Sequence, residues 1–322
     1  MSLCPYLHGF PFGFIEENWA EFRKKCFLEV AGDRYRRLLT GLDGLSIATV
    51  NMYLDRLTLL PYQPWRYNAC CDYDALLHVF ITDWDRTELV RIRQFDYEAH
   101  RRQFGIPEHM KPVIPVNCYH NGLTLLNSRT LEYLKGKDFI DGGGFMGESG
   151  FVFSAYSPRK VFCFEPLPEQ SARIRENFSM APHPEILEVV PCGLGEEDGQ
   201  ANLSAGAAGS TLNENLADTA SGIPVEICRI DSFAASRELK LGLIKLDIEG
   251  LELEAVRGAE QTIRRDRPVL LVSIYHTVKD FFGVKAFLEN LVPDYRFSIR
   301  HLDANEMLLE YMLIGIPGEL AQ

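Results

Sequence analysis

Hydrophobic and polar positions follow two different patterns in the two parts of the chain. Segments 16–40 and 45–60 carry apolar residues at helical spacing, and 84–104 predicts a charged, amphipathic helix. From about residue 130, short apolar runs alternate with helical patterns. This alternation predicts a mostly parallel sheet with helices on both faces. A helical N-terminal region is therefore expected to precede an α/β domain.

The individual elements of the second part follow from the same pattern. Strands are expected near 137–141, 160–165, 186–192, 224–230, 242–247, 268–275, 295–301 and 308–316. Helices are expected near 147–156, 168–179, 231–238, 251–264 and 279–291. The last two strands follow each other without a helix, so they should form an antiparallel hairpin at a sheet edge.

Three features mark the connections between these elements. Prolines 107, 112 and 115 punctuate a linker-like stretch, which divides the chain into 1–115 and 116–322. The first unit is expected to serve in oligomerisation, as in a homodimer, or as a substrate lid. HNGLTLLN at 120–127 predicts a hairpin or a short strand, and the small, polar stretch 204–222 predicts a long surface loop.

Composition and charge narrow the possible partners. The chain has 33 Lys and Arg against 45 Asp and Glu, a net charge of −12, which argues against nucleic acid as a partner. No stretch approaches the roughly 18 apolar residues that a membrane span needs. The eight cysteines show no metal-binding spacing, and Cys163, Cys192 and Cys228 are expected to be buried thiols. We therefore expect a cytoplasmic protein without a secretory signal.

The segment FIDGGGFMGESG at 139–150 carries the first candidate site. Gly142, Gly143 and Gly147 allow a tight turn between strand and helix, where a ligand can approach the backbone closely. Asp141 precedes the glycines and would repel a pyrophosphate, whereas it could pair with the ammonium group of S-adenosylmethionine. Ser149 opens the following helix. A glycine-rich turn without a ligand is the structural alternative.

Glu165 ends the next strand, in VFCFEP, 24 residues after Asp141. An acid near this spacing commonly accepts hydrogen bonds from ribose hydroxyls. A solvated strand-end acid is the alternative. Asp141, Gly142, Gly143, Gly147, Ser149 and Glu165 are thus the predicted cofactor contacts, together with Asp247.

LIKLDIEGLELEAVRGA at 243–259 and SIYHT at 273–277 carry the candidate chemistry. Asp247, Glu249 and His276 follow two neighbouring strand ends and should face one crevice. His276 could act as a general base whose tautomer a carboxylate fixes, or the three could bind a divalent ion. We predict no metal, although one is possible. Lys245 shares a face of its strand with Asp247 and should pair with an acid in the crevice. The alternative role for His276 is a structural one, capping the end of its strand.

Several of these segments together resemble the FkbM-type methyltransferase family. IKLDIEGLELEAVRGA resembles its K-x-D-x-E-G-x-E segment, and VFCFEP and VVPCGLGEEDGQANL resemble its second and third blocks. The glycine segment resembles its first motif, except that Gly143, Gly144 and Phe145 stand where Gly-Ala-Asn is more usual. The resemblance spans roughly 130–316 and leaves the N-terminal region uncovered.

This resemblance implies a fold and a function. The fold is a class I methyltransferase (Rossmann-like), seven-stranded, doubly wound sheet with an antiparallel last strand. The function is O-methylation of a sugar, glycan or secondary metabolite by S-adenosylmethionine, with S-adenosylhomocysteine as product. The acceptor is thus expected to be a small molecule or a glycan.

Two other functions use the same residues. A nicotinamide-dependent oxidoreductase would use the glycine turn and Glu165, and Tyr275 and Lys279 form the Y-x-x-x-K spacing of short-chain dehydrogenases, although Tyr275 here ends a strand. A non-catalytic, cofactor-binding scaffold would use the helical region for assembly. Trp65, Tyr67 and Trp84 could stack on a sugar, or else pack in the core.

Overall fold

A computed structural model describes residues 24–26, 28, 32–59, 82–203, 223–306 and 308–321. The predicted loop at 204–222, the start of the helical segment 16–40, Trp65 and Tyr67 lie outside the described residues. Within the described part, no helix combines the length and the apolar character that crossing a membrane requires.

The N-terminal region is helical in its described residues, as predicted. Its helices are α1 (Asp33–Leu39), α2 (Gly44–Leu59), α3 (Asp83–Gln94), α4 (Tyr97–Phe104), α5 (Ile114–Asn117) and α6 (Ser128–Leu134). A 3-10 helix, His120–Leu125, lies between the last two of these.

Helices and strands alternate after residue 137. The helices are α7 (Glu148–Ser154), α8 (Pro168–Ser179), α9 (Ile230–Ser236), α10 (Glu252–Arg257), α11 (Glu260–Asp266) and α12 (Val278–Leu291), with a 3-10 helix at Pro184–Ile186. The strands are β1 (Asp138–Gly142), β2 (Lys160–Phe164), β3 (Leu187–Val190), β4 (Gly193–Leu194), β5 (Gly199–Leu203), β6 (Ile223–Cys228), β7 (Leu241–Leu246), β8 (Val269–Ser273), β9 (Arg296–His301) and β10 (Tyr311–Ile316).

Seven of these strands form the main sheet, in the order β3-β2-β1-β7-β8-β10-β9. The five neighbouring strands β3, β2, β1, β7 and β8 run parallel to one another, whereas β10 is antiparallel to both β8 and β9. This is the predicted doubly wound sheet with an antiparallel last strand. The predicted hairpin of the last two strands also forms, but only β9 lies at the edge, because β10 inserts between β8 and β9.

A second, three-stranded sheet has the order β4-β6-β5 and corrects one expectation. The apolar run near 224–230 was expected to extend the α/β sheet, yet β6 pairs with β4 and β5 instead. The expectation of thiols at Cys192 and Cys228 was also wrong, since these residues form a disulfide that links the segment after β3 to β6. Cys118 and Cys163 are free, buried thiols, and Cys26 is buried as well.

Two local expectations in the N-terminal part also differ from the structure. The amphipathic segment 84–104 is two helices, because Asp96 accepts from the backbone N–H of Ala99 and starts α4 as its N-cap. Segment 120–127 holds a 3-10 helix rather than a strand. His120, Asn121 and Gly122 all have positive φ angles there (50°, 54° and 102°), which a strand does not accommodate.

Side chains of the main sheet alternate between two apolar layers, as the pleat requires. Ile140 and Ile244 belong to one layer, and Phe139 and Leu243 belong to the other. The N-terminal region contributes to both layers. Leu38 and Tyr53, among others, pack in the first, while Phe104 and Val116 pack in the second. The helical region therefore shares its core with the sheet.

A buried polar cluster fixes α2 and α3 to the edge of the sheet. Asp85 lies 2.9 Å from Arg56 and 2.6 Å from Nδ1 of His301, and Arg56 donates to the Tyr311 hydroxyl at 2.7 Å. Burial alone would raise the pKa of Asp85, but His301 and Arg56 hold it well below its ordinary value. Asp85 is thus a buried carboxylate whose charge stabilises the packing of helices on β9 and β10.

Replacing this carboxylate tests the cluster. Asp85→Asn keeps the shape of the side chain but leaves the buried Arg56 without its charged partner. Removal of one member of a buried pair typically costs about 3–5 kcal/mol, and we expect a loss of that order in the free energy of unfolding. The exposed Asp83 in the same helical turn is the matched control, and Asp83→Asn should cost no more than about 0.5 kcal/mol. Equal losses in chemical denaturation would contradict the assignment.

Candidate active site

The candidate site lies where parallel strands of the main sheet end side by side. Gly142 of β1 is in register with Phe164 of β2 and with Leu246 of β7. Leu246 is in register with Val272 of β8. The residues that follow these four positions therefore meet along one edge, as the sequence predicts for a doubly wound sheet.

Asp141 and Lys245 form an ion pair at the base of the crevice. Lys245 Nζ lies 3.1 Å from Asp141, and it also donates to the carbonyls of Gly142 and Gly143 at 3.0 and 2.9 Å. Burial alone would lower the pKa of Lys245, but the charges of Asp141 and Asp247 raise it. Because Asp141 has no exposed surface, its influence on a ligand passes through Lys245 and the glycine turn.

The glycine turn lies directly against the turn that follows β7. Gly143 has a φ of +79°, and a Cβ at this position would lie 1.8 Å from the carbonyl oxygen of Asp247. No other residue fits there without moving one of the two turns. Gly147 also has a positive φ, +90°, and precedes α7. The sequence therefore places glycine where two strand-end turns touch.

Glu165 lies at the end of β2, as predicted, and its carboxylate is mostly buried. It accepts from the backbone N–H of Leu167 at 3.0 Å, and the backbone N–H of Phe145 acts on its pKa in the same direction. Burial raises the pKa of Glu165, and these two N–H groups oppose the rise. The structure thus holds the carboxylate beside the glycine turn.

Ser149 lies in the first turn of α7 and is buried. Its hydroxyl oxygen accepts from Asn121 Nδ2 at 3.0 Å, which leaves the hydroxyl hydrogen to donate elsewhere. Glu148, its neighbour, is also buried, and burial raises its pKa to about 7. Sequence reasoning missed Asn121 and Glu148. The HNG tripeptide, which favours positive φ angles, was the available signal for the first.

Asp247, Glu249 and His276 meet as predicted. Nε2 of His276 lies 3.5 Å from a carboxylate oxygen of Asp247 and 3.5 Å from one of Glu249. The side chains of Asp247 and Glu249 are 28% and 47% exposed, whereas that of His276 is 9% exposed. The two carboxylates therefore reach the crevice, while the imidazole lies behind them.

Glu252 fixes the position of His276 from the other side. It has no exposed surface, and it accepts from Nδ1 of His276 at 2.9 Å. The backbone N–H groups of Ile248 and Gly250 donate to the same carboxylate at 2.8 and 3.0 Å. Glu252 thus holds both the turn after β7 and the imidazole. Sequence reasoning did not identify the contact of Glu252 with His276.

The carboxylates around His276 determine its charge. Burial alone would lower the pKa of His276, but Glu252, Glu249 and Asp247 raise it to about 10. The imidazole is therefore protonated at neutral pH and does not accept a proton there. Partial burial raises the pKa of Glu249 above its ordinary value. Glu249 is therefore a better proton acceptor than the protonated His276.

The same cluster is the candidate for a divalent cation. Asp247, Glu252 and His276 each offer a ligand atom, and these atoms lie within 4.8 Å of one another. The carboxylate of Glu252 already accepts three hydrogen bonds, and a protonated imidazole has no lone pair for a cation. The contacts fit an ion-pair cluster, and a site without metal stays our prediction.

His301 and two residues that the sequence singled out, Trp84 and Lys279, lie elsewhere. His301 is buried, with Nδ1 at Asp85 and Nε2 2.8 Å from the carbonyl of Glu306. Trp84 donates its indole N–H to the carbonyl of His301 at 3.1 Å, so it packs on the sheet. Lys279 pairs with Glu254 at 2.7 Å and lies outside the cluster around His276.

Comparisons with known proteins give one family and several solved structures. The Methyltransferase FkbM domain matches residues 144–306, just over half of the chain. A methyltransferase FkbM from Methylobacillus flagellatus is 19% identical, with a TM-score of 0.48. The match covers 75% of this chain but only 57% of that one. No curated protein matches the chain.

Several of the other solved structures are O-methyltransferases by name, and two of them serve as examples. TomG from Streptomyces achromogenes, involved in tomaymycin synthesis and solved with S-adenosylmethionine, is 11% identical over 74% of this chain and 99% of its own, with a TM-score of 0.43. A caffeoyl-CoA O-methyltransferase from Staphylococcus aureus is 10% identical over 73% of this chain and 100% of its own, also with a TM-score of 0.43.

The charge on His276 predicts how stability depends on pH. Because the folded pKa is raised to about 10 from an ordinary 6.5, the stabilisation is complete below pH 6.5. It is then lost as the pH rises from about 6.5 to about 10. In His276→Gln this contribution is absent, so the free energy of unfolding should fall less steeply over that window. Parallel curves for the two proteins in chemical denaturation would refute the charged imidazole.

Proposed function

The chain belongs to the FkbM methyltransferase family, and from this premise we propose that it transfers a methyl group from S-adenosylmethionine to a hydroxyl oxygen. The acceptor is a sugar, a glycan or a secondary metabolite. The observation that carries the proposal is that the turn after β7, which carries Asp247 and Glu249, lies directly against the glycine turn after β1. A donor held at that turn and an acceptor held by the two carboxylates would meet in one crevice.

The residues around the glycine turn fit such a cofactor. Glu165 presents a carboxylate beside the turn, where it can accept from ribose hydroxyls. Ser149 keeps a hydroxyl hydrogen available because Asn121 already donates to its oxygen. Asp141 does not contact the ligand directly but holds Lys245, which in turn donates to the carbonyls of the glycine turn. Gly142, Gly143 and Gly147 allow the ligand to approach the backbone.

The chemistry requires little from the protein beyond position and one proton acceptor. S-adenosylmethionine supplies a methyl group that its sulfonium already activates, and S-adenosylhomocysteine is the product. Glu249 would accept the proton of the acceptor hydroxyl, while the hydroxyl oxygen takes the methyl group and the bond between the methyl carbon and sulfur breaks. His276, protonated and held by Glu252, keeps the carboxylates of Asp247 and Glu249 in place. Asp247 orients the hydroxyl beside Glu249.

The family assignment argues against one of the alternatives that the sequence left open. A nicotinamide-dependent oxidoreductase is set aside because the matched domain is that of a methyltransferase. The acidic balance of the chain, −12, supports a small-molecule or glycan acceptor over a nucleic acid. A cytoplasmic location, a homodimer and the division into 1–115 and 116–322 stay predictions.

Calorimetric titration tests the cofactor first. We expect micromolar binding of S-adenosylmethionine and S-adenosylhomocysteine, no binding of NAD or NADH, and no change on addition of EDTA. Glu165→Gln should weaken the first two ligands about tenfold, because a charged acceptor for the ribose hydroxyls is lost. Binding of NAD or NADH alone would overturn the proposal, and loss of binding with EDTA would overturn the site without metal.

Variants of the acceptor side test the proposed base. With an acceptor found in a screen of glycans and secondary metabolites, Glu249→Gln should lower kcat by about 10²- to 10⁴-fold, the usual contribution of a general base. The affinity for S-adenosylhomocysteine should not change. Asp247→Asn should lower turnover as well. Glu254→Gln, an acid in the next helix paired with Lys279, is the matched control. Full turnover in Glu249→Gln would remove this residue from the mechanism.

A further inference from the structure

Phe145 is an apolar residue in an unexpected place. It lies within the glycine turn, between Gly144 and Met146, and is 55% exposed. Met146 beside it packs against one of the apolar layers, whereas Phe145 belongs to neither layer. Within the described part of the chain, its ring stacks on no other aromatic ring. Among the described residues, more than half of the surface of Phe145 is therefore left uncovered.

The backbone at Phe145 is also strained. Its φ is +49°, in the left-handed region that bulky residues rarely adopt and that asparagine or glycine adopts more easily. The turn is fixed on both sides of the residue. Gly144 N donates to the carbonyl of Phe164 at 3.3 Å, and Asn177 Nδ2 donates to the carbonyl of Met146 at 2.8 Å. Phenylalanine thus contributes neither packing nor a favourable backbone conformation to the folded turn.

The position of the residue indicates a ligand for the ring. The turn that carries Phe145 lies beside Glu165, because Gly144 N donates to the carbonyl of Phe164, the residue before Glu165, at 3.3 Å. The N–H of Phe145 also helps to lower the pKa of Glu165, the proposed acceptor for ribose hydroxyls. A ring attached to this backbone unit is near the nucleoside end of the proposed cofactor. Purine bases stack on exposed aromatic side chains, as they do in proteins that bind single-stranded nucleic acids.

We propose that Phe145 is a cofactor-binding residue whose ring packs against the nucleoside of S-adenosylmethionine. The inference rests on the proposed function, because it assigns one further contact to the same ligand. A contact with the nucleoside would also explain why a phenylalanine occupies this strained position. The left-handed backbone directs an aromatic side chain outward at the position where Glu165 holds the ribose.

The test uses a substitution that should move stability and binding in opposite directions. Phe145→Asn removes the ring and places a residue that tolerates the left-handed conformation. We expect its Tm to rise by about 1–3 °C, since part of the backbone strain is relieved. In calorimetry its affinity for S-adenosylhomocysteine should fall about tenfold. The affinity for 5′-methylthioadenosine, which keeps the nucleoside but lacks the amino acid, should fall by the same factor.

Two further variants separate the ring from other causes. Phe145→Tyr keeps an aromatic ring and should bind S-adenosylhomocysteine within about twofold of the wild type. Val90→Asn removes another exposed apolar side chain, on α3, and should not affect binding. If Phe145→Asn binds both nucleosides as tightly as the wild type, the ring is not part of the site and the inference is wrong. If the wild-type protein binds neither nucleoside, the proposed function itself fails.

Discussion

The buried ion pair between Asp141 and Lys245 is the interaction on which the rest of the site depends. Charges removed from water are costly unless their remaining hydrogen-bonding groups are also satisfied. Lys245 meets this condition by donating to the carbonyls of Gly142 and Gly143 as well. One side chain of β7 thereby determines the path of the turn after β1. The pair connects two central strands at the point where both leave the sheet.

The main sheet and the strand-end residues could be predicted because they depend on local patterns. Apolar runs separated by helical periods define the parallel strands, and acids after those runs must lie at one edge. The contact between Asp247, Glu249 and His276 follows from this logic. The charge of His276 does not follow from it, because the pKa of His276 depends on Glu252, which approaches from the far side of the imidazole. Burial and pairing at that distance leave no periodic signal.

Other errors of the sequence analysis also arise from long-range pairing. The apolar alternation of 224–230 is that of a strand, but nothing in it indicates that the partners are β4 and β5 rather than the main sheet. Cys192 and Cys228 are 36 residues apart and without a spacing motif, so only the fold brings them together. Helix α3 ends early for a local reason, the N-cap at Asp96, which the amphipathic pattern concealed. Asp85 has two roles, in the capping box of α3 and in the pairing with Arg56, and the sequence showed only a polar helix face.

The two turns that touch at the base of the crevice each hold a non-glycine residue in the left-handed backbone conformation. The turn after β1 holds Phe145 at a φ of +49°, and the turn after β7 holds Glu249 at +61°. Neither residue favours the left-handed region, and a residue held there costs on the order of 1–3 kcal/mol. Both are exposed, whereas the groups that hold the turns, Lys245 and Glu252, are buried. Strain at adjacent strand ends thus holds one exposed apolar and one exposed acidic side chain on turns that touch. An apolar group suits a nucleoside, and an acid suits a hydroxyl that must lose its proton. Under the proposed function, the turn after β1 would therefore serve the donor and the turn after β7 the acceptor.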